Sequence, residues 1–154
     1  MNSDFALIMA LPSESKGLFE QAGIQVHYSG IGKVNAAFKA IHKTGCKTLL
    51  NLGTAGSSHF DAHALVEVCQ FVQRDMDVSP LGFQVGVTPM DQEYPAEIHL
   101  ERYFEHLPNG ICGTGDSFET GTPKVPCQLV DMEGYAIAKV CKKLRVRILS
   151  VKYI

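Results

Sequence analysis

Long apolar segments are missing from this 154-residue sequence, and no stretch approaches the length of a membrane-spanning helix. Residues 1–4 carry no basic side chain, so the apolar run at residues 5–11 predicts a first β-strand rather than a signal peptide. Basic residues are not in excess either, since the net charge is −2 and the 14 lysines and arginines are mostly scattered. We therefore expect neither a membrane nor a nucleic acid as a partner.

The cysteines lack the spacing of a metal or redox motif. There are five of them, an odd number, and no Cys-x-x-Cys occurs. His59 and His63 are four residues apart, but no third candidate ligand accompanies them. The pattern predicts reduced and mostly buried thiols, a cytoplasmic protein and no bound metal.

Two common glycine-rich nucleotide motifs are also absent. Residues 30–33 (GIGK) lack the earlier glycine and the following Ser or Thr of a P-loop. No Gly-x-Gly-x-x-Gly follows the first predicted strand, which argues against a dinucleotide-binding module. No cofactor is therefore expected, and residues 30–33 are interpreted as a tight turn into a helix whose amides face a ligand.

Apolar runs alternate with amphipathic segments along the chain. The runs predict strands at residues 5–11, 24–28, 47–52, 64–72, 110–115, 128–130 and 146–154. The amphipathic segments predict helices at residues 12–23, 34–45, 95–107 and 137–144. The length suits one domain, residues 1–154, and the alternation predicts an α/β fold with a mostly parallel sheet.

Two acids lie at a predicted corner between a strand and a helix. Asp131 and Glu133 directly follow residues 128–130 and precede the last helix. Open α/β sheets bind ligands at the carboxyl ends of their strands, so these acids are candidate ligand-binding residues. The alternative is a plain helix start, where acids complement the helix dipole.

Two further strand ends carry candidate site residues. Glu14 follows the first strand, where it is either a solvated first-turn acid or a second catalytic carboxylate. Residues 53–57 (GTAGS) follow another strand, and their glycines allow the backbone to approach a ligand closely. Each signal is weak by itself.

Five motifs in order resemble the nucleoside phosphorylase/nucleosidase superfamily, especially the methylthioadenosine/S-adenosylhomocysteine nucleosidases and the futalosine hydrolases. The motifs are SGIGKVNAA (29–37), NLGTAG (51–56), RDMDVSPLG (74–82), TGDSF (114–118) and VDMEGYA (130–136). The resemblance implies a three-layer α/β/α sandwich with a central twisted, mixed and mostly parallel sheet. It also implies hydrolysis of the N-ribosidic bond of a purine nucleoside.

The resemblance further implies a role for individual residues. Glu133 would bind the ribose 2′- and 3′-hydroxyls, Met132 would pack against the ribose, and Phe118 would stack on the base. Glu14 would activate the attacking water. The residues expected to line the sugar and the reaction centre are Thr54, Ala55 and Gly56.

The resemblance leaves three questions open. The family's Ser-Asp pair and closing helix would follow the last predicted strand, but the sequence ends at Ile154, so Asp116 and Asp131 are alternative leaving-group acids. Phosphate could replace water as the nucleophile, although no arginine lies in the loops at residues 30–33 or 53–57. A further alternative is a protein that binds nucleosides without turnover. A homodimer is expected, because the excursion at residues 79–95 combines surface-loop composition with apolar side chains.

Overall fold

The computed structural model describes residues 4–154, so the first three residues of the predicted domain lie outside the described residues. The strands of this region are β1 Phe5–Met9, β2 Val26–Tyr28, β3 Thr48–Thr54, β4 Leu65–Gln73, β5 Glu97–His99, β6 Asn109–Thr114, β7 Leu129–Asp131 and β8 Arg147–Tyr153. The α-helices are α1 Pro12–Ser15, α2 Leu18–Gln21, α3 Lys33–Ile41 and α4 Gly134–Lys143, and a 3-10 helix spans Ser79–Leu81. Within residues 4–154, no helix has both the length and the apolar character needed to span a bilayer.

These strands belong to one sheet with the order β2-β1-β3-β8-β4-β6-β7, and β5 pairs with β4. Neighbouring strands are parallel, except that β4 runs antiparallel to both β8 and β5. The predicted mixed and mostly parallel sheet is therefore confirmed. β1, β3 and β8 run in one direction, and β4, β6 and β7 run in the other. The carboxyl ends of β1 and β3 therefore meet at one edge, where α/β sheets bind ligands. The segment after β3 reaches β7 through an antiparallel bridge between Gly56 and Val130.

Helices cover both faces of the sheet. On one face, α3 and α4 pack together over the main core, and the small side chains of Ala36 and Ala40 let α3 approach closely. On the other face, Phe19 of α2 packs against a smaller cluster that contains Leu7 and Met9 of β1. Alternate residues of β1 thus face opposite layers, which explains its continuous apolar sequence.

The predicted helix at residues 95–107 is wrong. This segment forms β5 and then an irregular loop. The buried carboxylate of Glu67 on β4 accepts hydrogen bonds from the backbone amides of Tyr103 (2.6 Å) and Phe104 (3.1 Å). It also pairs with Arg102 at 3.4 Å. A side chain on a distant strand therefore satisfies amides that helix carbonyls would otherwise satisfy.

The single helix predicted at residues 12–23 is divided into α1 and α2. Lys16 and Gly17 both have positive φ angles, 49° and 74°, which end the first helix and begin the second. The break keeps α1 to one turn directly after β1. Glu14 on this turn consequently stays close to the carboxyl end of the sheet.

Candidate active site

A cavity of about 370 Å³ opens at the carboxyl ends of β1, β3 and β7. All seven residues that the sequence analysis assigned to the site line it: Glu14, Thr54, Ala55, Gly56, Phe118, Met132 and Glu133. A backbone bridge between Gly56 and Val130 ties the glycine-rich loop after β3 to β7. Segments far apart in sequence thus form one wall.

The Glu14 carboxylate is held by four hydrogen bonds. Oε2 accepts from the backbone amides of Ala10 and Leu11, both at 2.9 Å. Oε1 accepts from the Thr54 amide at 2.8 Å and from the Thr54 hydroxyl at 3.0 Å. The carboxylate therefore joins the end of β1 to the end of β3, and it has one fixed orientation.

The absence of a side chain at position 53 makes this arrangement possible. A Cβ added to Gly53 would lie 3.0 Å from Glu14 Oε1. This separation is tighter than ordinary van der Waals contact, so a larger residue would push the carboxylate away from Thr54. Gly53 thus leaves room for the Glu14 side chain to reach Thr54. The sequence analysis instead interpreted the glycines of this loop as room for a ligand.

Glu133 lies at the end of β7, and only 9% of the residue is exposed. Its Oε1 accepts a hydrogen bond from the Gly32 amide at 2.9 Å. Burial raises the pKa of Glu133, and repulsion from Asp131 and Glu14 acts in the same direction, whereas the Gly32 hydrogen bond opposes the rise. Glu14, Asp131 and Glu133 all line the cavity, so three carboxylates share one site.

Asp131 is fully engaged within the protein. Its carboxylate pairs with the buried Lys152 Nζ at 2.8 Å and accepts from the Thr114 hydroxyl (2.5 Å) and the Gly134 amide (2.9 Å). Burial alone would lower the pKa of Lys152, but the Asp131 carboxylate outweighs it and raises that pKa. Both oxygens of Asp131 thus accept from donors within the protein, which makes this residue a poor match for a leaving-group acid.

Asp116, the other alternative acid, is also an acceptor. Its Oδ1 accepts the Lys33 backbone amide at 2.7 Å, and its Oδ2 lies 3.8 Å from Lys33 Nζ. The same ammonium pairs with Asp75 at 2.7 Å. The turn at residues 30–33 therefore directs two amides, those of Gly32 and Lys33, toward protein carboxylates, where the sequence analysis predicted a ligand.

Phe118 and Met132 lie on the walls of the cavity. Phe118 is 86% exposed, which is unusual for a phenylalanine, and a flat ligand could cover its ring. Met132 is half-buried between Asp131 and Glu133. Both placements are compatible with the expected contacts to base and ribose, which remain predictions.

Two charged residues of the cavity were not identified from the sequence. Arg74, whose side chain is 3% exposed, lies 3.2 Å from Glu119 Oε2 through its Nη1 atom. Arg74 begins one of the five motifs and Glu119 directly follows Phe118, so their positions were signals. Their pairing joins segments 45 residues apart and could not be read from local pattern.

No group of three or more His, Cys, Asp or Glu residues within the described part of the chain is arranged to hold a metal ion. The polar groups of the cavity are carboxylates, hydroxyls, backbone amides and the Arg74 guanidinium, which is paired with Glu119. Such groups bind neutral hydroxylated ligands through hydrogen bonds.

Comparison with known proteins agrees with this architecture. A curated 5′-methylthioadenosine/S-adenosylhomocysteine nucleosidase of Anoxybacillus flavithermus is 28% identical over 159 residues, covering 88% of this chain and 68% of its own length. An aminodeoxyfutalosine nucleosidase of Helicobacter pylori is 30% identical over 157 residues, covering 85% and 66%. This chain therefore spans about two thirds of the length of these relatives.

Solved structures share the fold. The 5′-methylthioadenosine/S-adenosylhomocysteine nucleosidase of H. pylori, with butyl-thio-DADMe-Immucillin-A, superposes with a TM-score of 0.87 at 22% identity. The match covers all of this chain and 85% of that one. A futalosine hydrolase mutant of H. pylori gives a TM-score of 0.85 at 22% identity, with coverage of 100% and 90%.

A family model described as "Phosphorylase superfamily" matches residues 16–154. The matched region contains every strand of the sheet except β1, and it contains all seven predicted site residues except Glu14. The chain belongs to the phosphorylase superfamily.

Proposed function

We propose that this protein hydrolyses the N-ribosidic bond of a purine nucleoside. The single observation that carries the proposal is a cavity that brings together two carboxylates in different environments, Glu14 and Glu133. Glycosidic hydrolysis requires one group to bind the sugar as positive charge develops and another to activate water. The names of the relatives support the same reaction.

Glu133 is assigned to the ribose. Its Oε1 already accepts one amide hydrogen bond, so Oε2 and the remaining lone pair of Oε1 are available to accept two hydroxyl protons. A buried carboxylate stabilises a neighbouring oxocarbenium-like transition state more strongly than a solvated one. The raised pKa of Glu133 reflects the cost of keeping this charge away from water.

Glu14 is assigned to the attacking water. A carboxylate has about four lone-pair positions, and all four on Glu14 have donors within the protein. Three donors are backbone amides, but the Thr54 hydroxyl can rotate away and leave its position to a water molecule. The water oxygen then bonds to ribose C1′ as the C1′–N bond breaks, and one water proton passes to Glu14. The base leaves with the electrons of the broken bond and takes up a proton from solvent.

Phosphorolysis is less favoured by the charges in the cavity. Arg74 is the one lysine or arginine among the described lining residues, and its positive charge is paired with Glu119. Lys33 is paired with Asp75, and Lys152 with Asp131. A phosphate dianion would find no free cation among these three, whereas a neutral water molecule needs none.

Incubation of the protein with a panel of purine nucleosides, with and without phosphate, tests the proposal. Free base and free ribose at the same rate in both conditions are expected. Ribose 1-phosphate would show a phosphorylase, and binding without products would show a nucleoside-binding protein.

We also propose that the protein is a homodimer. Leu81, Phe83 and Met90 in the 79–95 excursion are 73%, 41% and 96% exposed, which is costly for three large apolar side chains in one segment. Sedimentation velocity at micromolar concentration should give twice the 16.8 kDa mass of the chain, and a monomer would contradict this proposal.

We place the protein in the cytoplasm, because the five cysteines, all within the described residues, are free thiols. Cell fractionation that recovers it outside the cytoplasm would contradict this assignment.

A further inference from the structure

Three charged side chains form a cluster beside the cavity, and we call them the Lys33 triad. Lys33 begins α3, Asp75 closely follows β4, and Asp116 closely follows β6. Lys33 Nζ lies 2.7 Å from Asp75 Oδ1 and 3.8 Å from Asp116 Oδ2. None of the three belongs to the described residues that line the cavity. Any effect of the triad on a ligand is therefore indirect.

The placement of Lys33 needs a physical reason, because the N-terminus of a helix repels a cation. The two acids supply that reason. Burial alone would raise the pKa of Asp75, but hydrogen bonds from Lys33 and from the Asp116 amide outweigh burial and lower that pKa. The side chains of Lys33 and Asp75 are only 19% and 27% exposed, so solvent screens this pair less than a surface pair. The triad thus joins three segments through a partly shielded charged contact.

The same acids also hold the backbone at the start of α3. Asp116 Oδ1 accepts the Lys33 amide at 2.7 Å, and Asp75 Oδ2 accepts the Asp116 amide at 2.8 Å. Lys33 is therefore bound both at its amide and at its ammonium group. The preceding Gly32 has a φ of 96°, and a Cβ there would lie 3.1 Å from Asp116 Oδ1. Both the conformation and the close approach favour glycine, and they give the turn one orientation.

This turn reaches the cavity through one hydrogen bond. The Gly32 amide donates to Glu133 Oε1 at 2.9 Å. Burial and the charges of Asp131 and Glu14 raise the pKa of Glu133. The Gly32 hydrogen bond and the Lys152 ammonium group lower it. Gly32 is thus the backbone contact through which the turn orients this carboxylate and favours its ionised form.

We propose that Lys33 is a positioning residue, which holds the Gly32 amide on the Glu133 carboxylate. It does so by binding both acids of the triad. The inference rests on the proposed function, in which an ionised Glu133 accepts the ribose hydroxyls. Such contacts strengthen in the transition state, so a carboxylate that has lost its fixed orientation slows turnover more than it weakens binding.

Removal of the ammonium group should release this amide. In Lys33→Met, the two acids lose the cation between them and repel each other, so the Gly32 hydrogen bond weakens. We expect the pKa of Glu133 to rise by about one unit, because a donor to its ionised form is lost. The kcat should fall about tenfold, and KM should change less than about threefold. Lys33→Arg keeps the charge and should retain the wild-type pKa of Glu133.

Asp75→Ala separates positioning from a direct effect of charge. Removal of a nearby negative charge would by itself lower the pKa of Glu133. Loss of the acceptor that holds Lys33 and Asp116 should instead raise this pKa, by about half a unit. The sign of the shift distinguishes the two effects, and this variant still tests the proposal if Lys33→Met does not fold.

Two measurements test the inference. Carboxyl ¹³C NMR titration reads the pKa of Glu133 without turnover, and the absence of its signal in Glu133→Gln assigns it. Initial rates with the preferred purine nucleoside read kcat and KM over the same pH range. The matched control is Lys139→Met, which removes an ammonium group on α4 that is 27% exposed and pairs with Asp91 at 2.5 Å. This control should match the wild type in both measurements.

An unchanged Glu133 pKa in folded Lys33→Met, an unchanged or lowered pKa in Asp75→Ala, or an equal shift in Lys139→Met would overturn the inference. A loss of kcat without a shift in this pKa would also overturn it, because that result indicates only a structural role. The expected pKa shifts in a protein that cleaves no nucleoside would refute only the proposed hydrolysis. Wild-type cleavage by Lys33→Met with an unshifted pKa would refute only the positioning role.

Discussion

Replacing Glu133 by glutamine should abolish most turnover and leave the fold intact. In Glu133→Gln, the side-chain carbonyl could still accept the Gly32 amide, so the contact between β7 and the turn before α3 would survive. The new amide group would place an N–H donor where the ribose hydroxyls need an acceptor. The substitution therefore changes charge and hydrogen-bonding direction at nearly constant volume.

The expected size of the effect follows from the two free acceptor positions of Glu133. A hydrogen bond to a charged group contributes roughly 1.5–3 kcal/mol, so loss of two costs about 3–6 kcal/mol in the transition state. At about 1.4 kcal/mol per factor of ten, kcat/KM should fall by roughly 10²- to 10⁴-fold. The free energy of unfolding should change by less than about 1 kcal/mol, since a neutral amide is easier to bury than a carboxylate.

The pH dependence provides a second readout. Protonation removes an acceptor, so the acidic limb of wild-type kcat/KM should lie above the ordinary glutamate pKa of 4.5. Because the pKa of Glu133 is raised in the folded state, its ionisation costs the native state free energy. The stability of the wild type relative to Glu133→Gln should therefore fall as the pH rises through that pKa.

Initial rates with the preferred nucleoside and urea unfolding measured between about pH 4 and pH 8 decide this prediction, because this range brackets a raised carboxyl pKa. Glu105→Gln, which loses an exposed charge, should match the wild type in both assays. Unchanged turnover in Glu133→Gln would refute the ribose-binding role. Loss of the folded state would show that Glu133 mainly supports the structure.

Two further substitutions have distinct expected outcomes. In Glu14→Gln, the new amide group must face two of the four donors that the carboxylate now accepts from, so the free energy of unfolding should fall by about 3 kcal/mol. The kcat should fall by at least about 100-fold because the proton acceptor is lost, whereas KM should change little. A folded variant with wild-type kcat would exclude Glu14 as the base. In Lys152→Met, the buried Asp131 carboxylate loses its cation, so urea unfolding should show a loss of about 3–5 kcal/mol that Asp131→Asn partly restores in the double variant. Additive losses in the double variant would contradict that coupling.

The parts of the fold that follow local rules could be predicted from the sequence. Continuous apolar runs predicted buried strands such as β1 and β3, and the structure has strands there. Glu14 and Glu133 were predicted to face one crevice because both follow strands, and both line the same cavity. The roles assigned to them remain proposals.

Features that depend on distant contacts could not be predicted. The Glu67 carboxylate accepts hydrogen bonds from the amides of Tyr103 and Phe104, and this segment forms a loop where a helix was predicted. The sequence around Glu67 indicates only a strand. Lys152 lies in an apolar strand at a position that local pattern cannot assign to either face. Its burial becomes understandable only when Asp131 on β7 is found 2.8 Å away.

The central claim is that water attacks the ribose, and isotope labelling tests it most directly. The protein is incubated with its preferred nucleoside in H₂¹⁸O containing phosphate, the reaction is quenched early, and the sugar product is analysed by mass spectrometry. Free ribose incubated in the same water corrects for exchange at the anomeric hydroxyl. We predict free ribose that carries one ¹⁸O atom above this control, whereas unlabelled ribose 1-phosphate would contradict the account.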